Sequence, residues 1–295
     1  MDRMWNFTKT TILMAAMMGL CMGVAYLIGG TQWLLPALML GGVFNFIAFF
    51  FSDKLALASM RAKEVTRADD PALYNLVERL AQRGGLPMPR VYISAMAAPN
   101  AFATGRNPRK GVVCVTAGLR QLLNEEELAG VISHELGHIK HRDILLSTVA
   151  AIMAAAITYL AHIAFFMGGR RDGHGNPLAA LAMMILAPLA AMLIQMAISR
   201  SREYSADEYG ATLCGKPRAL ANALAKLQQA SSRVPLPVSP AQSNMFIVHP
   251  LSAEGASGLF MTHPPIKKRI DRLLGMEREL SQLGQLRPRE GYSRE

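Results

Sequence analysis

His134 and His138 lie four positions apart in the run His134-Glu135-Leu136-Gly137-His138, with a carboxylate directly after the first imidazole. On a helix, positions i and i+4 differ by about 40° around the axis, so both rings leave the same face. Two imidazoles so placed can share one Zn²⁺, and Glu135 can take a proton from water on that ion. A catalytic zinc needs a third protein ligand and an open fourth position. A third histidine on the same segment would require glycine at 141 and histidine at 144, where the chain has His141 and Ile144. The other solution is a glutamate from a later helix, and the segment 201–210, SREYSADEYG, supplies Glu203. Asp207 follows one turn on along the same face. It is placed to accept the outer N–H of a ligating histidine, which fixes tautomer and ring orientation. Glu208 points away from that face, and His141 reads as a neighbour rather than a ligand. The competing reading makes these groups polar residues on solvated helix faces.

These side chains need elements to hold them. Asn124 precedes three glutamates, with Glu127 at the position that closes a capping box, so a helix is expected through His134 and His138. Residues 71–83 carry apolar residues at helical spacing between Asp70-Pro71 and Gly84-Gly85. The β-branched runs 90–94 and 110–118 read as strands, and the segment 99–105 between them as an edge strand or a hairpin turn. A helix is expected over 266–274, followed by a charged tail that reads as a solvated, partly frayed helix end.

Four apolar stretches cover 11–29, 33–51, 144–167 and 178–199. Each is close to the roughly 20 residues that cross a hydrocarbon core. The first two form a tight hairpin. A cleaved signal peptide does not fit, because a second apolar stretch follows at once. The second pair flanks a Gly- and Pro-containing loop and reads as a spanning hairpin, with a hairpin dipping into the bilayer as its rival. Lys and Arg near the stretch ends number nine on one side and two on the other, Arg170 and Arg171. That asymmetry puts both termini and the region 52–143 in the cytoplasm. The two ligand-bearing helices directly precede the third stretch and follow the fourth, so an antiparallel hairpin brings them together at one membrane face.

Composition agrees. Of 295 residues, 51% are hydrophobic and 18% charged, which excludes a disordered chain. Three distant cysteines, Cys21, Cys114 and Cys214, offer neither a disulfide framework nor a zinc ribbon. The net charge of +10 does not gather into a polyanion site: residues 52–143 hold 13 basic and 10 acidic side chains, and 200–295 hold 14 and 9. No nucleic-acid-binding module is recognisable. His162, His174 and His249 carry no pattern of their own.

The ordered motifs PNAFATG (99–105), VISHELGHI (131–139), REYSADEYGA (202–211) and MTHPPIKKRI (261–270), between paired apolar hairpins, resemble the HtpX group of membrane-bound zinc endopeptidases. That group is related to the CAAX prenyl endopeptidases, and the resemblance covers nearly the whole chain. It implies a zinc enzyme of the bacterial inner membrane with a cytoplasmic active site. It also implies a stress-response role in the turnover of damaged or misfolded membrane proteins. By position, His134, His138 and Glu203 match the ligands and Glu135 the catalytic base. Asn100, Ala101 and Phe102 match the substrate-side edge segment, and His263 a histidine that steadies the oxyanion. Arg269 matches a basic position to which no chemistry is assigned. The run IKHRD after the metal helix departs from the family pattern.

The expected architecture is mainly α with a small β-sheet. About four transmembrane helices carry a cytoplasmic zincin-like catalytic domain of the gluzincin type. The organisation is an N-terminal hairpin (1–51), a cytoplasmic part with edge strand and metal helix (52–143), a second hydrophobic hairpin (144–199) and a cytoplasmic part with the third ligand (200–295). Expected partners are one Zn²⁺, the lipid bilayer and unfolded or membrane-protein substrates. A processing protease for one anchored substrate and a noncatalytic membrane scaffold are the alternatives.

Overall fold

The computed structural model describes residues 2–150, 152–153, 156–157, 200–233, 264–282 and 284. The greater part of the stretches 144–167 and 178–199 lies outside them, as do His162, His174, His249 and His263. Helix α1 (Asp2–Gly29) and helix α2 (Leu34–Phe50) are joined by a single 3₁₀ turn, Gly30–Trp33. They meet where Gly41 leaves room for Met18 and where the Asn45 side chain donates to the Met14 carbonyl at 3.0 Å. The outer face of α2 is bare of polar cover, with Leu35, Met39, Leu40 and Val43 all more than half exposed. Among the described residues, the helical run Gly30–Phe50 is long and apolar enough to cross a membrane, and Phe7–Gly23 is apolar but shorter.

Helix α3 (Ser52–Ser59) then leads into a four-stranded sheet of β1 (Ala62–Glu64), β2 (Arg90–Ser94), β3 (Ala101–Thr104) and β4 (Val112–Thr116). The spatial order is β1-β2-β4-β3. β2 and β4 run parallel, and the outer two strands pair antiparallel to their neighbours. β4 is buried at every position, which explains its unbroken β-branched run. β3 is an edge strand, as the sequence suggested. Helix α4 (Pro71–Arg83) begins where Asp70 accepts from the Leu73 N–H at 3.0 Å and ends at Gly84. Its buried face, Leu73, Leu76, Val77 and Leu80, joins the main core beneath the sheet.

Short helix α5 (Ala117–Leu122) precedes α6 (Glu125–His141), which opens with the expected capping box. Asn124 accepts from the Glu127 N–H at 2.9 Å, and Glu127 accepts from the Asn124 N–H at 3.0 Å. A further helix starts at 144, and its Leu146, Val149 and Met153 pack on Leu13 and Met17 of α1. Helices α7 (Arg200–Cys214), α8 (Pro217–Arg233) and α9 (Ile266–Gln282) complete the described fold. The last continues eight residues past Leu274, and this end differs from the frayed, solvated one expected. Met276 packs on the core, and Glu277 pairs with Arg218 at 2.6 Å, so the segment is held rather than loose.

α6 is the axis of this part of the molecule, and glycines set its neighbours' distance. A Cβ on Gly210 of α7 would lie 2.8 Å from the His134 nitrogen, and one on Gly130 would lie 3.0 Å from the Leu220 backbone. Gly210→Ala should therefore force α7 off α6 and cost about 1–3 kcal/mol. Gly275→Ala, with open space around it, should be neutral or stabilising by about 0.5–1 kcal/mol. Thermal unfolding of the detergent-solubilised chain compares the two, and equal melting temperatures would contradict this packing.

Candidate metal centre

The middle of α6 is buried, and His134 and His138 emerge from one face toward α7. Their Nε2 atoms are 3.2 Å apart, and the rings stand nearly perpendicular at 88°. Glu203, in the first turn of α7, brings Oε1 to 3.6 Å from His138 Nε2 and Oε2 to 3.9 Å from His134 Nε2. One donor atom from each of the three lies within 4.8 Å of the others. A tetrahedral ion with bonds of about 2.0–2.1 Å needs donors roughly 3.3 Å apart, so the spacing fits such a group.

Carboxylates face the outer nitrogens of both rings. Asp207 Oδ1 is 3.0 Å from His134 Nδ1, a close contact set off the line of a straight hydrogen bond. Asp143 Oδ2 is 3.1 Å from His138 Nδ1. Asp207 occupies the place read from the sequence. Asp143 does not follow from helical spacing, because it lies beyond the helix end. Arg142 takes a left-handed conformation, φ 58°, and turns the chain back so that Asp143 reaches the ring. The run IKHRD thus supplies a carboxylate that addresses His138.

Arg269 of α9 is the residue that sequence reasoning passed over. It is fully buried and grips Asp207 with two hydrogen bonds of 2.7 Å, from Nε and from one terminal nitrogen. Its other terminal nitrogen is 3.3 Å from Glu203 Oε2. One guanidinium therefore fixes both buried carboxylates of α7, Glu203 and Asp207. The sequence signal was faint, since Arg269 follows two exposed lysines in a helix that reads as amphipathic. Burial alone would favour a protonated Asp207, but Arg269 outweighs it and holds the carboxyl below its usual range.

Glu135 is buried between the ligand group and β3, close enough to His134, His138 and Glu203 to feel their charges and to accept from the strand. Burial pushes its carboxyl up, against the two histidines and a hydrogen bond from the backbone N–H of Ala103, which draw it down. His138 is pushed up to about 10: burial opposes its charge, but Asp143, Glu203 and Glu135 more than compensate. Since the Ala103 N–H faces Glu135, alternation makes Ala101 and Ala103 the residues whose main chain faces outward from β3. The side chains of Asn100, Ala101 and Phe102 are themselves buried. Phe102 packs with Met60, Val112 and Cys114, and the Asn100 N–H donates to Thr116 Oγ1. This segment can offer a ligand its backbone and not those side chains. Of the remaining polar residues, His141 is half-buried edge-on to Tyr209, and Glu208 is exposed near Arg272, 3.7 Å away.

Replacing Arg269 by Met strands two buried carboxylates, and a loss of about 3–5 kcal/mol in stability is expected. Arg269→Lys should recover only part, because an ammonium cannot span both oxygens of Asp207. Thermal unfolding of the full chain reads both, and wild-type stability in Arg269→Met would refute the clasp.

Residues 67–277 match the family described as peptidase family M48. The chain is 49% identical over 278 residues to "Protease HtpX homolog" of Syntrophotalea carbinolica, covering 92% of this chain and 99% of that one. It is 54% identical over 276 residues to "Protease HtpX homolog" of Thermodesulfovibrio yellowstonii, covering 92% and 98%. A solved structure, Ste24p of S. mikatae, aligns at TM-score 0.46 and 19% identity over 92% of this chain and 66% of that one. With the family match running from before α4 into α9, the chain belongs to peptidase family M48, as a membrane metallopeptidase of the HtpX type.

Proposed function

We propose that His134, His138 and Glu203 hold one Zn²⁺ per chain, and that the enzyme cleaves unfolded or damaged segments of membrane proteins at the cytoplasmic face of the bacterial inner membrane. The observation that carries this reading is the convergence of those three donors beside Glu135, which in turn abuts an edge strand. Charge supports it. Four carboxylates (Glu135, Asp143, Glu203, Asp207) surround the site against two guanidiniums (Arg202, Arg269), an excess of negative charge that a divalent cation would offset. Asp207 and Asp143 orient the rings, and such outer partners raise ligand basicity.

When bound, the ion supplies Lewis acidity and lowers the pKa of its water toward 7. Glu135 takes the proton from the attacking water and delivers it to the leaving amine. His263 donates to the developing oxyanion. The substrate extends antiparallel or parallel along β3, through the outward main chain of Ala101 and Ala103. Main-chain pairing has little side-chain preference, which favours many unfolded substrates over a single processed partner. Two hydrophobic hairpins, 1–51 and 144–199, hold the domain at the membrane with both termini cytoplasmic.

Glu135→Gln should keep zinc near one per chain while casein hydrolysis falls by roughly 10²–10⁴-fold. Glu203→Gln should lose zinc, and a chelator should inactivate the wild type reversibly. Metal analysis and a proteolysis assay on the purified chain test both. Undiminished hydrolysis by Glu135→Gln would remove the assignment of the base.

A further inference from the structure

Residues 105–111, which join β3 to β4, carry Arg106, Arg109 and Lys110 and no acidic residue. Among the described residues, no carboxylate pairs with any of the three. The loop is rigid by construction. Gly105 sits at φ 129°, where a side chain would meet the Lys110 backbone. Asn107 accepts from the Lys110 N–H at 3.1 Å and closes the 3₁₀ turn Pro108–Lys110. Arg109 and Lys110 are thereby held out to solvent.

Far from this loop in sequence, α2 ends in an aromatic cluster. Phe50 lies 4.6 Å from Phe46 and 5.1 Å from Phe49, ring centre to ring centre. Phe46, Phe50 and Phe51 are exposed at 54%, 41% and 40%. Phe50 is also the last residue of the apolar helical run Gly30–Phe50, so this cluster lies at the end of the candidate span. The fold lays the basic loop at that level: the Arg106 guanidinium stands over the Phe50 ring at 5.2 Å, and Lys54 stands over Phe51 at 5.4 Å. Charge and position together select the occupant, since a cationic loop at the end of a membrane-spanning helix meets phospholipid phosphates.

We propose that Arg106, Arg109 and Lys110, together with Lys54, form a docking surface for anionic phospholipid headgroups and hold the end of the β3 edge strand against the bilayer. This rests on the placement of α2 in the membrane, and not on the assignment of the metal. Each cation near an anionic leaflet strengthens association by roughly fivefold. The prefolded loop loses little freedom on docking, so most of that gain is retained.

The test uses the full chain in nanodiscs of phosphatidylcholine alone or mixed with phosphatidylglycerol. A water-soluble, uncharged acylating reagent measures the reactivity of Lys110, with Lys216, which joins α7 to α8 and pairs with Glu126 at the start of α6, as reference. Phosphatidylglycerol should slow Lys110 acylation by about fivefold or more and leave Lys216 unchanged. Arg106→Gln with Arg109→Gln should weaken that protection, and high salt should remove it. Equal Lys110 rates in the two lipids overturn the proposal, as does protection that Lys216 shares or that survives the double substitution. None of these readouts depends on peptide hydrolysis, so loss of the zinc assignment would leave them standing.

Discussion

A buried guanidinium that must satisfy two carboxylates at once organises this molecule. Arg269 reaches from α9 to Asp207 and Glu203 on α7, and Asp207 faces His134 on α6. Three helices from distant parts of the chain are thus tied by one set of charges. Charges in a dry interior are tolerated only when paired, so every other helix contact has to respect their positions. α9 cannot slide along α7 without exposing an unpaired carboxylate. The burial of Leu273 in the main core follows from the same docking.

The second constraint is distance. Helices with ordinary side chains pack about 8–10 Å apart, and two imidazoles and a carboxylate on neighbouring helices converge only at close approach. Gly210 against the backbone at His134, and Gly137 against Ala206, supply that approach. α6 also meets β3, and Glu135, one position after His134, lies where it senses both histidines and Glu203 and accepts from the Ala103 N–H of that strand.

What the sequence disclosed depended on the range of the interaction. Local devices could be read directly: the Asn124–Glu127 capping box, the Asp70-Pro71 start and Gly84 stop of α4, and the β-branched runs of β2 and β4. The shared face of Glu203 and Asp207 could be read from their helical spacing, and the structure brings both beside the two histidines. Strand β1, three residues long, and the polar helix α3 were not, since neither is long enough to show a period. Asp143 was hidden by a left-handed residue at the helix end. Arg269 was hidden because its partners lie 62 and 66 positions away and nothing nearby in sequence marks it as buried.

A hydroxyl pair at the end of β3 gives the edge strand its frame. Thr148 spends its single proton on the Ile144 carbonyl at 2.7 Å, so across the 3.1 Å contact Thr104 must donate to Thr148. Both side chains are buried. A slip of β3 by one residue would set Ala103 or Gly105 against Thr148 and leave a hydroxyl without its bond, besides turning every side chain of the strand over. The helix that starts at 144 therefore keys the strand's register from the side of α1. Any peptide that lengthens the sheet at that edge inherits the same frame, and with it the choice of which of its bonds comes to rest beside Glu135.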